Sequence, residues 1–462
     1  MASPGVMTSQ DTESSDNSKN RSLLCRLSNE LLCMVASNVT NPSDLSALAR
    51  TCKLLHGNST PVLYKSVVIN DEGQLRQLAA GRDLYGPYIL ERVQQFDLSM
   101  DWNDSKILPL YTINHIGDMA NLQHLAIEYD YLKYGQNKAK WSMLLPKTLP
   151  SKLVSCTLSF KSHGAWPISQ AVPLLQHTHL RRLELHWAMS DRLLEADGQD
   201  LLCKFPGSTA LETLNLIDCD FNSVDLHQIM CYPRALRSLS SHSDRDVDEV
   251  RPAIARNHDY CFRSISTDGN ANSLESFRYD MKHRNEGIVP APGMDLLKSV
   301  RYLDIHHEHL APVATFMVLY PFEEIDSPIE RLLPPRLEVL KISKFAANKT
   351  DIVDEILENK NTIAPALRRI ILVLQYRDAA MADELRRAAD AEMDTRHWSD
   401  QTFEMAERNF PVSRRKKTYK ELSARCKGRG VDLMLLYEDS VRREVLREGA
   451  GPALWEIPEH IA

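Results

Sequence analysis

The sequence has no run of eighteen apolar residues, so no helix able to cross a bilayer core is expected. The N-terminal stretch MASPGVMTSQDTESSDNSKN lacks the basic and then apolar order of a secretory signal. It is rich in Ser, Asp and Asn, and residues 1–22 are expected to form a disordered tail. The nine cysteines include no C-x-x-C pair. Neither a zinc ligand set nor a disulfide framework is implied, which leaves reduced thiols in an intracellular chain, cytoplasmic or nuclear, as the expectation. There is no G-x-x-x-x-G-K-S/T, no G-x-G-x-x-G and no G-x-S-x-G, so a phosphate cradle or a nucleophile elbow has no support. The formal net charge of −7 speaks against nonspecific nucleic-acid binding as the main task. No catalytic residue, cofactor or metal is expected. The nearest approach to a metal pattern is HHEH, His306 to His309. Adjacent histidines diverge on a strand or loop, and the H-E-x-x-H spacing of a metal-binding helix is absent, so a polar loop is the better reading.

The composition that remains is that of a globular protein, with 43% apolar and 25% charged residues. One pattern recurs in it, a short segment φ-x-x-φ-x-φ with φ apolar. It occurs as VQQFDL from Val93, LQHLAI from Leu122, LVSCTL from Leu153, LRRLEL from Leu180 and LETLNL from Leu211. It continues as LRSLSS from Leu236, LESFRY from Leu274, VRYLDI from Val300, LEVLKI from Leu337 and LRRIIL from Leu367. The ten starts are spaced about thirty residues apart, near the upper end of the leucine-rich-repeat range. YKSVVI, 64–69, reads as a first strand before them, and VDLMLLY, 431–437, as a last one after a helix over about 418–427 stopped by glycines. A further helix is expected over 378–392, and SRRKK, 413–417, is expected to be a solvated loop or an import signal. A unit of this kind cannot cover its own apolar face, so successive units must stack. The fold class that follows is an α/β solenoid of parallel strands and helices. Leu183, Leu185, Leu214, Leu216, Leu303, Leu340 and Ile342 should share one core.

Ahead of the repeats stands LSNELLCMVASNVTNPSDLSALARTCKLLH, 27–56, which reads as helices separated by Asn41-Pro42. Ser28 is placed to cap the first helix, and its Leu31, Leu32, Val35 and Val39 share a face. Asn41 is placed to cap the second, with Pro42 in its first turn; Gly57-Asn58 should end the pattern before one more short turn at Pro61. So much apolar surface on so short a unit asks for a partner, or for a repeat array that the unit caps. Leu27, Glu30, Leu31, Leu32, Asp44, Leu45, Leu48 and Cys52 fall on the positions of an F-box motif, and the stretch resembles that family. Ser28 stands where the family usually has proline, and Ala49 where valine is frequent. The junction PVLYKSV and the repeats behind it are similar to those of fungal F-box proteins with degenerate leucine-rich repeats.

That resemblance implies three parts: an F-box over 23–63, a leucine-rich-repeat solenoid with a closing unit over 64–445, and a loosely attached tail over 446–462. It implies a Skp-family adaptor bound through Leu27, Leu31, Leu32, Val35, Leu45 and Leu48, and through the adaptor a cullin and RING ligase. The chain would then be the substrate-recognition subunit of an SCF-type ubiquitin ligase, not itself an enzyme. The alternative is an F-box scaffold that binds partners without sending them to degradation. No nucleic acid or membrane partner is implied. The unknown protein substrate should meet the strand face opposite the core, where Arg182, Glu184 and His186 stand on one strand and Tyr302, Asp304 and His306 on another.

Overall fold

Residues 23–63 form a short turn, Leu23–Arg26, and three helices: α1 (Asn29–Ser37), α2 (Pro42–Ala49) and α3 (Lys53–Leu63). The computed structural model describes residues 23–85, 87–101, 116–130, 145, 148–160, 166–189, 207–219, 221, 223–242, 265, 270–280, 293–310, 333–345, 349–374 and 412–437. The expected tails and the expected helix over 378–392 lie outside them. Both expected caps are in place. Extended Ser28 accepts the Leu31 N–H at 3.4 Å, and Asn41 accepts the Ser43 N–H at 3.0 Å. The third helix differs from expectation, running through Gly57-Asn58 and Pro61 to Leu63. Asn58 explains this: it is buried, donates to the Leu54 carbonyl at 2.9 Å and accepts the Cys33 thiol at 3.0 Å. A residue that favours turns is thus spent on tying α3 to α1.

The chain then enters one sheet of twelve strands. These are β1 (Ser66–Ile69), β2 (Gln95–Asp101), β3 (His124–Asp130), β4 (Ser155–Phe160), β6 (Arg182–His186), β8 (Thr213–Ile217), β9 (Ser238–His242), β10 (Ser276–Asp280), β11 (Tyr302–His306), β12 (Val339–Phe345), β13 (Arg369–Leu374) and β14 (Asp432–Tyr437). Two-residue strands β5 (Trp166–Pro167) and β7 (Ala188–Met189) pair separately. Every pairing in the large sheet is parallel, and its spatial order is the order of the sequence. The molecule is therefore α/β with a large parallel sheet.

Register turns the sequence pattern into rows. Phe96, Leu125, Cys156, Leu183, Leu214, Leu239, Phe277, Leu303, Leu340, Ile370 and Leu433 are successive partners, each one strand further along. A second row, from Leu98 through Leu185 and Ile305 to Leu372, runs two residues further along each strand. The first residue of every unit, from Val93 to Leu367, is buried. Alternation along a strand puts these residues on one face, and β1 joins the same rows through Val67 and Ile69. Leu183, Leu185, Leu214, Leu216, Leu303, Leu340 and Ile342 belong to a single core cluster, as expected.

The intervening segments cover that face. Leu75 and Leu78 of helix α4 (Glu72–Tyr85), Ile229 and Met230 of Ser223–Cys231, and Ile352, Val353, Ile356 and Leu357 of Thr350–Glu358 enter the same cluster. Leu422 and Cys426 come from Val412–Gly428, which begins six residues before the expected 418. The backbone of SRRKK, 413–417, is thus helical and not a loop. Buried Asn270 stitches neighbouring units together: it accepts the Leu236 N–H at 3.2 Å and donates to the Met230 carbonyl at 2.7 Å. Trp187 and Asp218 occupy equivalent places after β6 and β8 and both have positive φ, 67° and 53°, which turns the chain out of the strand.

Candidate functional site

Nine large apolar side chains stand exposed among the described residues, and six of them, Leu23, Leu27, Leu31, Met34, Val35 and Leu54, lie between residues 23 and 54. Their placement follows from helix geometry. In α1, Leu32 and Ala36 lie four apart and face inward, so Leu31, Met34 and Val35 are carried to the other side. The helix is thus apolar on both sides, one turned inward and the other left exposed. The inner side meets α2 and α3 in a small interior of Leu32, Ala36, Leu45, Ala49 and Leu55. None of these five belongs to the main core cluster, which begins at Ile69.

Two of the expected adaptor-binding residues are corrected by this arrangement. Leu32 is 1% exposed and Leu45 5%, so both are spent on the interior of the unit and offer a partner no surface. The sequence placed Leu31, Leu32 and Val35 on a single face; the buried stripe is Leu32 and Ala36. Leu27, Leu31 and Val35 stand outward and Leu48 is half-buried. Leu23, Met34 and Leu54 join the outward face although the sequence reading left them out. The signal was available: once Ala36 is given to the interior, a step of 100° per residue sends Met34 outward.

On the sheet, Arg182, Glu184 and His186 alternate with buried Leu183 and Leu185, as expected of the face opposite the core. Glu184 accepts from His186 Nε2 at 2.9 Å and from Asn215 Nδ2 at 3.0 Å, so its carboxylate is held by its own strand and the next. Tyr302, Asp304 and His306 occupy the matching positions of β11. Strands β8, β9 and β10 lie between the two sets, and at ~4.8 Å per strand they are roughly 19 Å apart. The face is shared; the two sets do not meet.

The β11 set also differs in kind. Asp304 is 3% exposed and His306 5%, so neither is a solvated docking residue. Asp304 is the centre of a buried ion cluster. Its Oδ2 lies 2.8 Å from Lys341 Nζ and 3.6 Å from Arg278 Nε, and its Oδ1 accepts the Ser343 hydroxyl at 2.6 Å. Burial alone would raise its pKa. The charges of Lys341 and Arg278, with the hydrogen bonds from Lys341 and Ser343, outweigh that and hold it below the ordinary carboxylate value. The Tyr302 phenol is pushed well above its usual range, by burial first and then by the Asp304 charge. The register explains the cluster, because Arg278, Asp304 and Lys341 are direct partners on β10, β11 and β12.

His306 ends β11, and His307–Leu310 forms a 3-10 turn, not the polar loop expected of HHEH. His306, His307 and His309 are all buried; the His306 and His307 rings stack at 4.6 Å, and the His309 ring lies 5.0 Å from that of Tyr279. Trp166 is buried with Nε1 donating to the His186 carbonyl at 2.8 Å, and Trp187 packs on the core. Among the described residues no helix is long and apolar enough to cross a membrane. No protein-family model and no curated protein matches the chain.

Proposed function

We propose that this chain is the substrate-recognition subunit of an SCF-type ubiquitin ligase, with residues 23–63 acting as an F-box that docks a Skp-family adaptor. The sheet is then the inner wall of a leucine-rich-repeat solenoid, and its face opposite the core receives the protein to be ubiquitinated. The observation that carries the reading is the apolar face of Leu27, Leu31, Met34 and Val35, which remains exposed on a unit with five apolar residues in its interior. A helical cap that only sealed the first strand would bury these side chains against it. An adaptor that supplies further helices would cover them, and the gain is ~25 cal/mol per Å² of apolar surface removed from water. The chain needs no catalytic group in this role, because its contribution to the transfer is proximity.

Arg182, Glu184 and His186 are the side chains best placed to meet a substrate. They are exposed or half-buried and stand in a row with Thr213, Asn215 and Ile217. On the same face further along the sheet, Asp304 and His306 are buried and Tyr302 is half-buried.

The test is adaptor capture from cells with the proteasome inhibited. Leu31→Glu with Met34→Glu alters only exposed positions, so the protein should fold, purify as wild type and lose the adaptor. Arg182→Glu should keep the adaptor and lose a bound protein that accumulates on proteasome inhibition. A folded Leu31→Glu/Met34→Glu variant that still brings the adaptor down overturns the reading.

A further inference from the structure

We propose that Cys25 and Cys52 form a reversible disulfide, a peroxide-sensitive staple across the three-helix unit. Their Sγ atoms are 3.8 Å apart, in van der Waals contact, although 27 residues separate them in sequence. A bond needs a further approach to ~2.05 Å. The element that must move is the turn Leu23–Arg26, whose residues are exposed or half-buried and none of them fully buried. Cys52 is exposed and takes the N-cap position of α3, an eleven-residue helix. The Leu55 backbone N–H above all, and then the Cys25 thiol, favour its thiolate and lower its pKa. The remaining cysteines with described side chains differ. Cys33 is exposed, but its thiol is given to Asn58. Cys156 and Cys219 are buried, with the Cys219 thiol pushed up to about 12 by burial. Reactivity follows thiolate character and access, and both favour Cys52.

The chemistry balances with hydrogen peroxide as oxidant. The Cys52 thiolate attacks one peroxide oxygen, the O–O bond breaks, and hydroxide leaves with the proton lost from Cys52 as water; Cys52 is now a sulfenic acid. Cys25 sulfur attacks the Cys52 sulfur, the S–S bond forms, and the sulfenic oxygen leaves with the Cys25 proton as a second water. Two thiols have lost two electrons and two protons. A small dithiol returns them. The loop that closes holds all of α1 and α2, and Leu23 and Leu27, two of the exposed apolar residues, are carried on or beside the turn that moves.

The experiment treats the purified full-length protein with hydrogen peroxide, blocks residual thiols and maps peptides by mass spectrometry without reduction. The expected result is a Cys25–Cys52 linked peptide as the main oxidised species, reversed by dithiothreitol. Trypsin cleavage after exposed Arg26 should slow severalfold on oxidation. Cys33→Ser should leave the linkage unchanged. Cys25→Ser should abolish it and leave Cys52 open to sulfinic oxidation. Circular dichroism of the variants establishes that the fold is retained. The proposal fails if the oxidised, folded wild type keeps both Cys25 and Cys52 open to alkylation, or if either residue pairs mainly with Cys33.

Discussion

Replacing Asp304 by asparagine probes the buried cluster with almost no change of shape. In the folded protein its Oδ2 lies 2.8 Å from Lys341 Nζ and 3.6 Å from Arg278 Nε. At an effective dielectric constant of ~20 those contacts are worth about 6 and about 4.6 kcal/mol of attraction. Desolvation opposes them at several kcal/mol per ion, so the intact cluster contributes little net stability. Removing the anion is a different matter, because it leaves two cations facing each other with their water already lost. The Lys341 side chain is 11% exposed and that of Arg278 23%, so Lys341 has little room to rehydrate. Asp304→Asn should therefore cost about 3–5 kcal/mol. Asp304→Leu combined with Lys341→Met removes both charges and should cost less than Asp304→Asn alone, with Arg278, the more exposed cation, turning toward solvent.

Urea unfolding followed by far-UV circular dichroism measures both, and the cycle is completed with Asp304→Leu and Lys341→Met as the two singles. The reasoning requires a shift of midpoint with an unchanged slope. It is refuted if Asp304→Asn lies within ~0.5 kcal/mol of wild type, or if the double substitution costs the sum of the two singles. Either outcome would mean that the side chains reach water on this face.

The same carboxylate sets an acid limit. Its folded pKa lies below the unfolded value of ~3.9, so the unfolded chain binds the extra proton between the two values. The contribution is complete above the unfolded value and is lost as pH falls through the folded one; urea midpoints from pH 6 down to pH 3 should fall less steeply in Asp304→Asn than in wild type. Leu214→Ala, at a fully buried point of the first core row, should cost about 2–5 kcal/mol through the cavity it leaves, read as a lowered urea midpoint.

The rows of the sheet were legible because one residue in each φ position is enough to show a strand with one buried face. Ten units read from sequence became β2–β4, β6 and β8–β13 in unbroken order, and the two flanking strands fell where alternation and glycine placed them. Helix ends were harder. Asn58 and Gly57 carry turn propensity, and only the tertiary hydrogen bond from Cys33 in α1, beside the local one from Asn58 to the Leu54 carbonyl, shows why α3 runs on. The exposed apolar face was half legible for a related reason. An apolar residue on a helix of a small unit faces either its own interior or a partner, and periodicity cannot separate the two until the crossing helices are placed. Leu32 and Leu45 went inward; Met34 and Leu54 went outward. Asp304 shows the converse limit, since alternation gives the face of a side chain and not what covers that face.

Register itself has a second source besides the apolar rows. In each unit the N–H groups of the second and third residues donate to the carbonyl of the preceding unit's second residue: Glu212 and Thr213 to Arg181, Arg237 and Ser238 to Glu212, Glu338 and Val339 to Arg301. From Arg181 onward that position alternates in charge as Arg181, Glu212, Arg237, Glu275, Arg301, Glu338 and Arg368. Arg181 meets Glu212 at 2.7 Å, and Glu338 pairs with both Arg301 and Arg368. Each such exposed pair is worth at most ~1 kcal/mol, too little to hold the sheet together. Its effect is on choice among alternatives. A one-residue slip between strands is already forbidden, because it would turn every leucine to the other face. A two-residue slip keeps the leucines inside, and the apolar rows alone resist it weakly. That slip would break the doubled bonds to the shared carbonyl and separate Arg181 from Glu212, and Arg301 and Arg368 from Glu338. The paired charges thus discriminate against the one misregister that hydrophobicity tolerates, and they do so at the strand edge, where no core packing is available to do it.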